Sequence, residues 1–166
     1  MSRTRSLILL GLLLVLGALN FSIAGKERIE SSGEVIYLRL APVDPRSLMQ
    51  GDYMALRFAL AQELDKTVGR DAAGPTPGAR EGEVRFAGVA LASNRVASLA
   101  DAAAPATLKL RYRVRSGRVW LGTNAFFFQE GDAQRFSTAR YGEFRVDRAS
   151  GEAVLVGLRD EALKAL

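Results

Sequence analysis

The sequence predicts a mostly β outer domain behind one N-terminal transmembrane helix. The domain is expected to be an antiparallel sandwich or partly open barrel of about eight short strands, with one or two short helices. Three observations predict it. Residues 7–24 form an apolar run interrupted in polarity only by Asn20 and Ser22. From Glu34 onward, short stretches alternate apolar with polar residues, the period of a half-buried strand. Gly-containing turns separate those stretches at short intervals.

The apolar run is just long enough to span a bilayer. Arg3 and Arg5 precede it, and Lys26, Glu27 and Arg28 mark the exit from it. The positive-inside rule then predicts a cytoplasmic amino terminus and an extracytoplasmic domain. The competing reading is a cleaved signal peptide, because Ser22-Ile23-Ala24 places small residues where a signal peptidase reads them. The run exceeds the usual core of such a signal, which favours an uncleaved anchor over residues 1–25 and an outer domain over 26–166.

Within the outer domain, Glu34–Ala41 is the first expected strand, with Val35, Tyr37 and Arg39 on one face and Ile36, Leu38 and Leu40 on the other. Pro42 and Pro45 fix φ and remove two backbone donors, so neither helix nor central strand continues through them. Gly51-Asp52 reads as a turn pair, and Tyr53–Phe58 as a strand reaching as far as Ala61, although Ala59–Leu64 equally suits a short helix. Residues 65–82 hold Gly69, Gly74, Pro75, Pro77 and Gly78 with little apolar bulk, and are expected to be a flexible connector. Glu83–Ser93 is the next strand, with Gly88 marking a bulge or a close backbone approach. Asn94-Arg95 is a turn, from which Val96–Leu99 pairs back. Leu108–Arg115 alternates perfectly, Ser116-Gly117 turns, and Val119–Leu121 returns. Phe126-Phe127-Phe128 is the largest aromatic block and is assigned to core filling; exposed, it would be a binding patch or a membrane-surface wedge. Asp132 is the expected N-cap of a short helix over Ala133–Ala139. Tyr141–Asp147 and Ala153–Leu158 make the last hairpin, and Arg159–Leu166 a terminal helix.

Composition narrows the chemistry. The 166 residues contain no cysteine and no histidine. Disulfides, thiol nucleophiles, His-ligated metals and a Ser-His-Asp triad are therefore excluded within this chain. The net charge of +5 is modest and implies no nucleic-acid partner. The one basic stretch is Lys109, Arg111, Arg113 and Arg115, which alternates with apolar residues as a strand with one wet face does. No phosphate loop occurs, and no cofactor or metal is expected. Carboxylates at Asp44, Asp52, Glu130 and Asp132 are explained by turns and capping rather than by a cation site.

A Ser-Lys dyad is the one nucleophilic arrangement the composition permits. Ser47-Leu48-Met49-Gln50-Gly51-Asp52 resembles the Thr-Leu-x-x-Gly-Asp segment of type I signal peptidases. In that family the nucleophilic serine lies nine residues before the aspartate, and Val43 stands there in this sequence. The turn is shared and the chemistry is missing, so no catalytic residue is assigned.

Gly51-Asp52-Tyr53-Met54-Ala55-Leu56-Arg57-Phe58 resembles the signature of the GDYXXLXY domain family. Gly51, Asp52, Tyr53 and Leu56 match, while Phe58 replaces the final Tyr, keeping the ring and losing the hydroxyl. The resemblance extends to Leu40–Arg46, Phe127–Gly131, Tyr141-Gly142-Glu143, Gly151 and Gly157-Leu158. It implies a bacterial inner-membrane segment with an outer, periplasmic β-rich domain that accompanies multi-spanning membrane proteins, and it carries over no assigned activity. The leading expectation is accordingly a non-enzymatic anchored domain that binds another envelope or multi-spanning membrane protein. Asp44, Arg46, Asp52, Tyr53, Phe126, Phe127 and Glu130 are the candidate contact residues, with Pro45, Gly51 and Gly131 shaping turns. The alternatives are a small-ligand or glycan binder with a concavity holding Tyr53, Trp120 or Arg57, and a hydrolase using Ser47 or carboxylates.

Overall fold

The structure is a computed structural model that describes residues 3–41, 49–50, 53–71 and 82–166. It starts with one long helix, α1 (Arg3–Ser32). The helix passes through position 25 without a break, and its last turns reach the β domain, where Ile29 is buried. The apolar residues before it, from Leu7 to Ile23, are exposed. Residues 5–32 are long and apolar enough to cross a membrane, a test that a signal sequence also passes.

Ten strands among the described residues form three antiparallel sheets that curve into a half-barrel. The first sheet holds β1 (Glu34–Arg39), β9 (Tyr141–Val146) and β10 (Ala153–Arg159), with β9 in the centre. The second holds β2 (Met49–Gln50), β3 (Tyr53–Ala55) and β8 (Ala125–Phe127). The third runs in the order β5 (Ala97–Leu99), β4 (Val84–Leu91), β6 (Leu108–Arg115) and β7 (Arg118–Trp120).

Short bridges join the sheets: Tyr37 to Val96, Leu40 to Phe58, and Arg111 N–H to the Gly151 carbonyl at 2.7 Å. The core inside them is built from the inward positions of every sheet: Ile36 and Leu38 from β1, Val89 from β4, Leu110 from β6, and Phe144 and Val146 from β9, with Leu121 after β7. As alternation predicts, Ile36 and Leu38 point inward while Arg39 is exposed.

Two open alternatives are settled, at Ala59 and at Gly88, and four expectations need correction. β3 stops at Ala55, and instead of strand through Ala61 the chain enters α2 (Ala59–Asp71). Leu60 and Leu64, four apart, bury one helical face, and Asp65 Oδ1 accepts the Val119 N–H at 2.7 Å, so packing decides between strand and helix. The connector expected over 65–82 is therefore helical up to Asp71. Gly88 carries no bulge: its pairing with Lys109 is regular, and it admits the Ala106 methyl, which would lie 3.0 Å from a Cβ. The bulge is in β10, between Leu155 and Gly157. Asp132 is not an N-cap; Gly131, at φ 92°, precedes a 3-10 helix over Asp132–Thr138 with no side-chain cap. The last residues form no helix, because Asp160 Oδ1 accepts the N–H groups of Ala162 and Lys164 and folds the end back to an Arg159–Ala165 bridge.

The aromatic block is also split. Phe126 and Phe128 lie against the buried Phe136, with ring centroids 5.1 and 5.3 Å away. Phe127, between them, faces outward and is 74% exposed. Adjacent strand residues point to opposite faces, so three phenylalanines in a row cannot share one core.

Candidate functional site

The two segments singled out in the sequence meet in the second sheet. Tyr53 lies opposite Phe127, Met54 opposite Phe126, and Ala55 opposite Ala125. The Tyr53 and Phe127 rings are 5.8 Å apart at 40°, a tilted aromatic pair on the outer face. On the inner face Met54 is buried, and Phe126 packs on Phe136. Gln50 pairs with Tyr53, leaving Gly51 and Asp52 as the two residues between β2 and β3.

Glu130 is exposed in the turn after β8. Asp44, Pro45, Arg46, Gly51 and Asp52 lie outside the described residues, as does Ser47. Of the residues named for a small ligand, Trp120 lines one cleft, Arg57 lines another hollow beside Asp65 and Arg118, and Tyr53 pairs with Phe127. Among the described residues no three Asp or Glu side chains converge as cation ligands.

Phe127 also shares a shallow hollow with Lys26, Phe126, Val154 and Leu155. Lys26 is two residues past the apolar run, about 3 Å of helix rise beyond its end. The exposed ring therefore sits on the side of the domain that carries α1. An ion pair between Lys26 and Glu152 of β10's approach fixes the helix there.

The signature residues after Tyr53 are structural. Leu56 and Phe58 are buried while Ala55 and Arg57 are exposed. The Phe58 ring stands edge-on to Phe144, 5.2 Å between centroids, and touches Gly142. Its buried edge has no need of the hydroxyl that a Tyr would bring. Tyr141-Gly142-Glu143 forms the centre of the first sheet, and Glu143, buried, accepts from Arg159 Nε at 2.5 Å.

The family model described as GDYXXLXY protein matches residues 15–158. The chain belongs to the GDYXXLXY family. The match takes in the second half of the apolar run and ends in β10, so the half-barrel described above is the GDYXXLXY domain. No curated protein and no solved structure matches the chain. In this GDYXXLXY domain, the described part of the string that names the family places the Tyr53 ring beside Phe127 and supplies buried anchors at Met54, Leu56 and Phe58.

Sequence reasoning missed the surroundings of the basic strand. Lys109, Arg111, Arg113 and Arg115 do line one face of β6, but Trp120 joins them from β7 and Lys26 from α1. Alternation gave the face; only the strand register could have supplied the neighbours.

Proposed function

We propose that this GDYXXLXY protein is a membrane-anchored docking module, with its domain on the extracytoplasmic side and Phe127 as the contact to a multi-spanning membrane protein. The observation that carries the reading is Phe127 itself. A ring 74% exposed is held in a β-ladder beside Tyr53, within reach of the membrane-proximal Lys26. Isolated exposed apolar residues are common, but here two aromatic rings form one rigid ridge at the end of an anchor. Tyr and Phe ridges lose little conformational entropy on contact, which suits an interface. The anchor restricts the domain to the bilayer surface, where a spanning protein is encountered at high effective concentration.

Arg3 and Arg5 before the apolar run support the orientation. Because the chain has no cysteine, a single introduced thiol reports it. Ala102→Cys on the exposed 101–106 link should react with a membrane-impermeant maleimide added outside spheroplasts; labelling only after lysis would refute the orientation. Docking is tested by affinity capture of the full chain from detergent-solubilised native membranes. A multi-spanning protein should co-purify with the wild type and be lost from Phe127→Ala. Capture of no stable membrane protein would refute the docking role.

A further inference from the structure

We infer that the outer face of the third sheet binds the phosphate of an anionic phospholipid headgroup, in a cleft formed by Lys26, Arg111, Arg113, Arg115 and Trp120. This site shares Lys26 with the hollow beside Phe127 but uses neither ring of the ridge, and it needs only the anchor, not the docking role.

The cleft encloses about 290 Å³, the scale of a small polar headgroup. Strand alternation places Arg111, Arg113 and Arg115 on the same face of β6, each about 7 Å from the next. The pairing of Arg113 with Trp120 adds the indole from β7. Four cations share one carboxylate in this cleft: Glu152 pairs with Lys26 and, at 3.2 Å, with Arg111. Arg113 is exposed and reaches no carboxylate among the described residues. Arg115 lies over the Trp120 ring, 5.2 Å from its centroid, which orients the guanidinium without neutralising it. A cleft with uncompensated guanidinium groups matches a phosphate, which Arg recognises through paired donors.

The position of the cleft selects a lipid over a soluble anion. Lys26 follows the apolar run by two residues. With residues 7–24 in the hydrocarbon core, Lys26 lies in the headgroup layer, which is about 5–7 Å deep on each side. The rest of the face is amphipathic in the way interfacial surfaces are. Val84 and Phe86, at 41% and 49% exposure, pair across to Arg113 and Arg111, and the Lys109 ammonium sits 4.6 Å from the Phe86 ring centre. A phosphate whose headgroup carries no compensating amine complements this charge best.

Trp120 is the sole tryptophan, so its fluorescence reports the cleft directly. The full chain is reconstituted in nanodiscs of phosphatidylcholine with increasing phosphatidylglycerol. Trp120 emission should shift saturably with phosphatidylglycerol and stay constant in pure phosphatidylcholine. Arg113→Gln should raise the half-saturating lipid fraction about five-fold, the share of one basic residue at an anionic surface. Arg113→Lys should stay within about two-fold, and Arg57→Gln, exposed and away from the cleft, should match the wild type. Both Gln variants are checked for an unchanged melting curve. Three results would overturn the inference. These are no lipid-dependent shift, an equal shift from millimolar inorganic phosphate in phosphatidylcholine discs, or an Arg57→Gln effect as large as that of Arg113→Gln, which would mean diffuse attraction.

Discussion

The Phe58 ring fills the space that a side chain on Gly142 would need. A Cβ at position 142 would lie 2.9 Å from Phe58 Cε1, and 3.1 Å from both Leu155 Cδ1 and Phe144 Cε2. Two separated blocks of the family signature thus specify each other, one contributing a ring and the other the absence of a side chain. Gly142→Ala should destabilise the full chain in detergent by about 1–3 kcal/mol, the cost of overpacking. In a Phe58→Leu background the same substitution should cost less, because the smaller side chain yields space; equal costs in both backgrounds would show that the two sites are uncoupled.

The phenylalanine triplet gives a second, internally controlled test. Phe126 and Phe128 each contact Phe136, and both are half-buried. Full burial of Phe is worth about 3–5 kcal/mol against Ala, so either truncation should cost about 2 kcal/mol in a denaturant melt. Phe127→Ala should stay within about 0.5 kcal/mol of the wild type. A large loss at Phe127 would place that ring in the core.

Glu143 and Arg159 form a buried pair between β9 and β10. Removing one partner leaves the other charge unpaired, a loss of several kcal/mol when both are buried. Arg159 is 25% exposed, which screens the pair, so Glu143→Leu should cost about 2–3 kcal/mol. Replacing both by Leu should recover part of that loss. If the double variant is the worse one, the pair contributes net stability rather than merely satisfying itself.

Asp147 governs the β9–β10 turn. Its carboxylate accepts the Ala149 N–H at 2.8 Å and the Ser150 hydroxyl at 3.0 Å, and these hydrogen bonds hold its pKa below the ordinary 3.8. A depressed acid pKa contributes stability above the unfolded value, and that contribution is lost as pH falls through the folded value. Carboxyl NMR should therefore place the Asp147 midpoint below 3.8, and turn amides should shift with it. A midpoint at or above 3.8 would contradict these hydrogen bonds.

Much of the fold was legible because strand alternation is strong here. Leu108–Arg115 emerged with its predicted limits, and so did the turn at Ser116-Gly117. Helix α2 was ambiguous because Leu60 and Leu64 suit either element until β7 lies beside them. The final helix failed because a single side chain, Asp160, captures the backbone donors that a helix would have used. At the candidate site, composition identified the aromatic block but not its division. Recognising Phe127 as the outward member required the parity of β8, which its pairing with β3 sets. The basic cleft was less legible still, since its members come from α1, β6 and β7 and meet only through tertiary packing.

The docking role is tested most directly by photo-crosslinking at its contact residue. A photoreactive amino acid replaces Phe127 in the full chain, expressed in its native membranes, with the same probe at Arg57 as an exposed reference. Irradiation at position 127 should yield one dominant adduct with a multi-spanning membrane protein, absent from the probe at 57. Crosslinks from 127 to lipid alone, or the same adducts from both positions, would contradict the docking role.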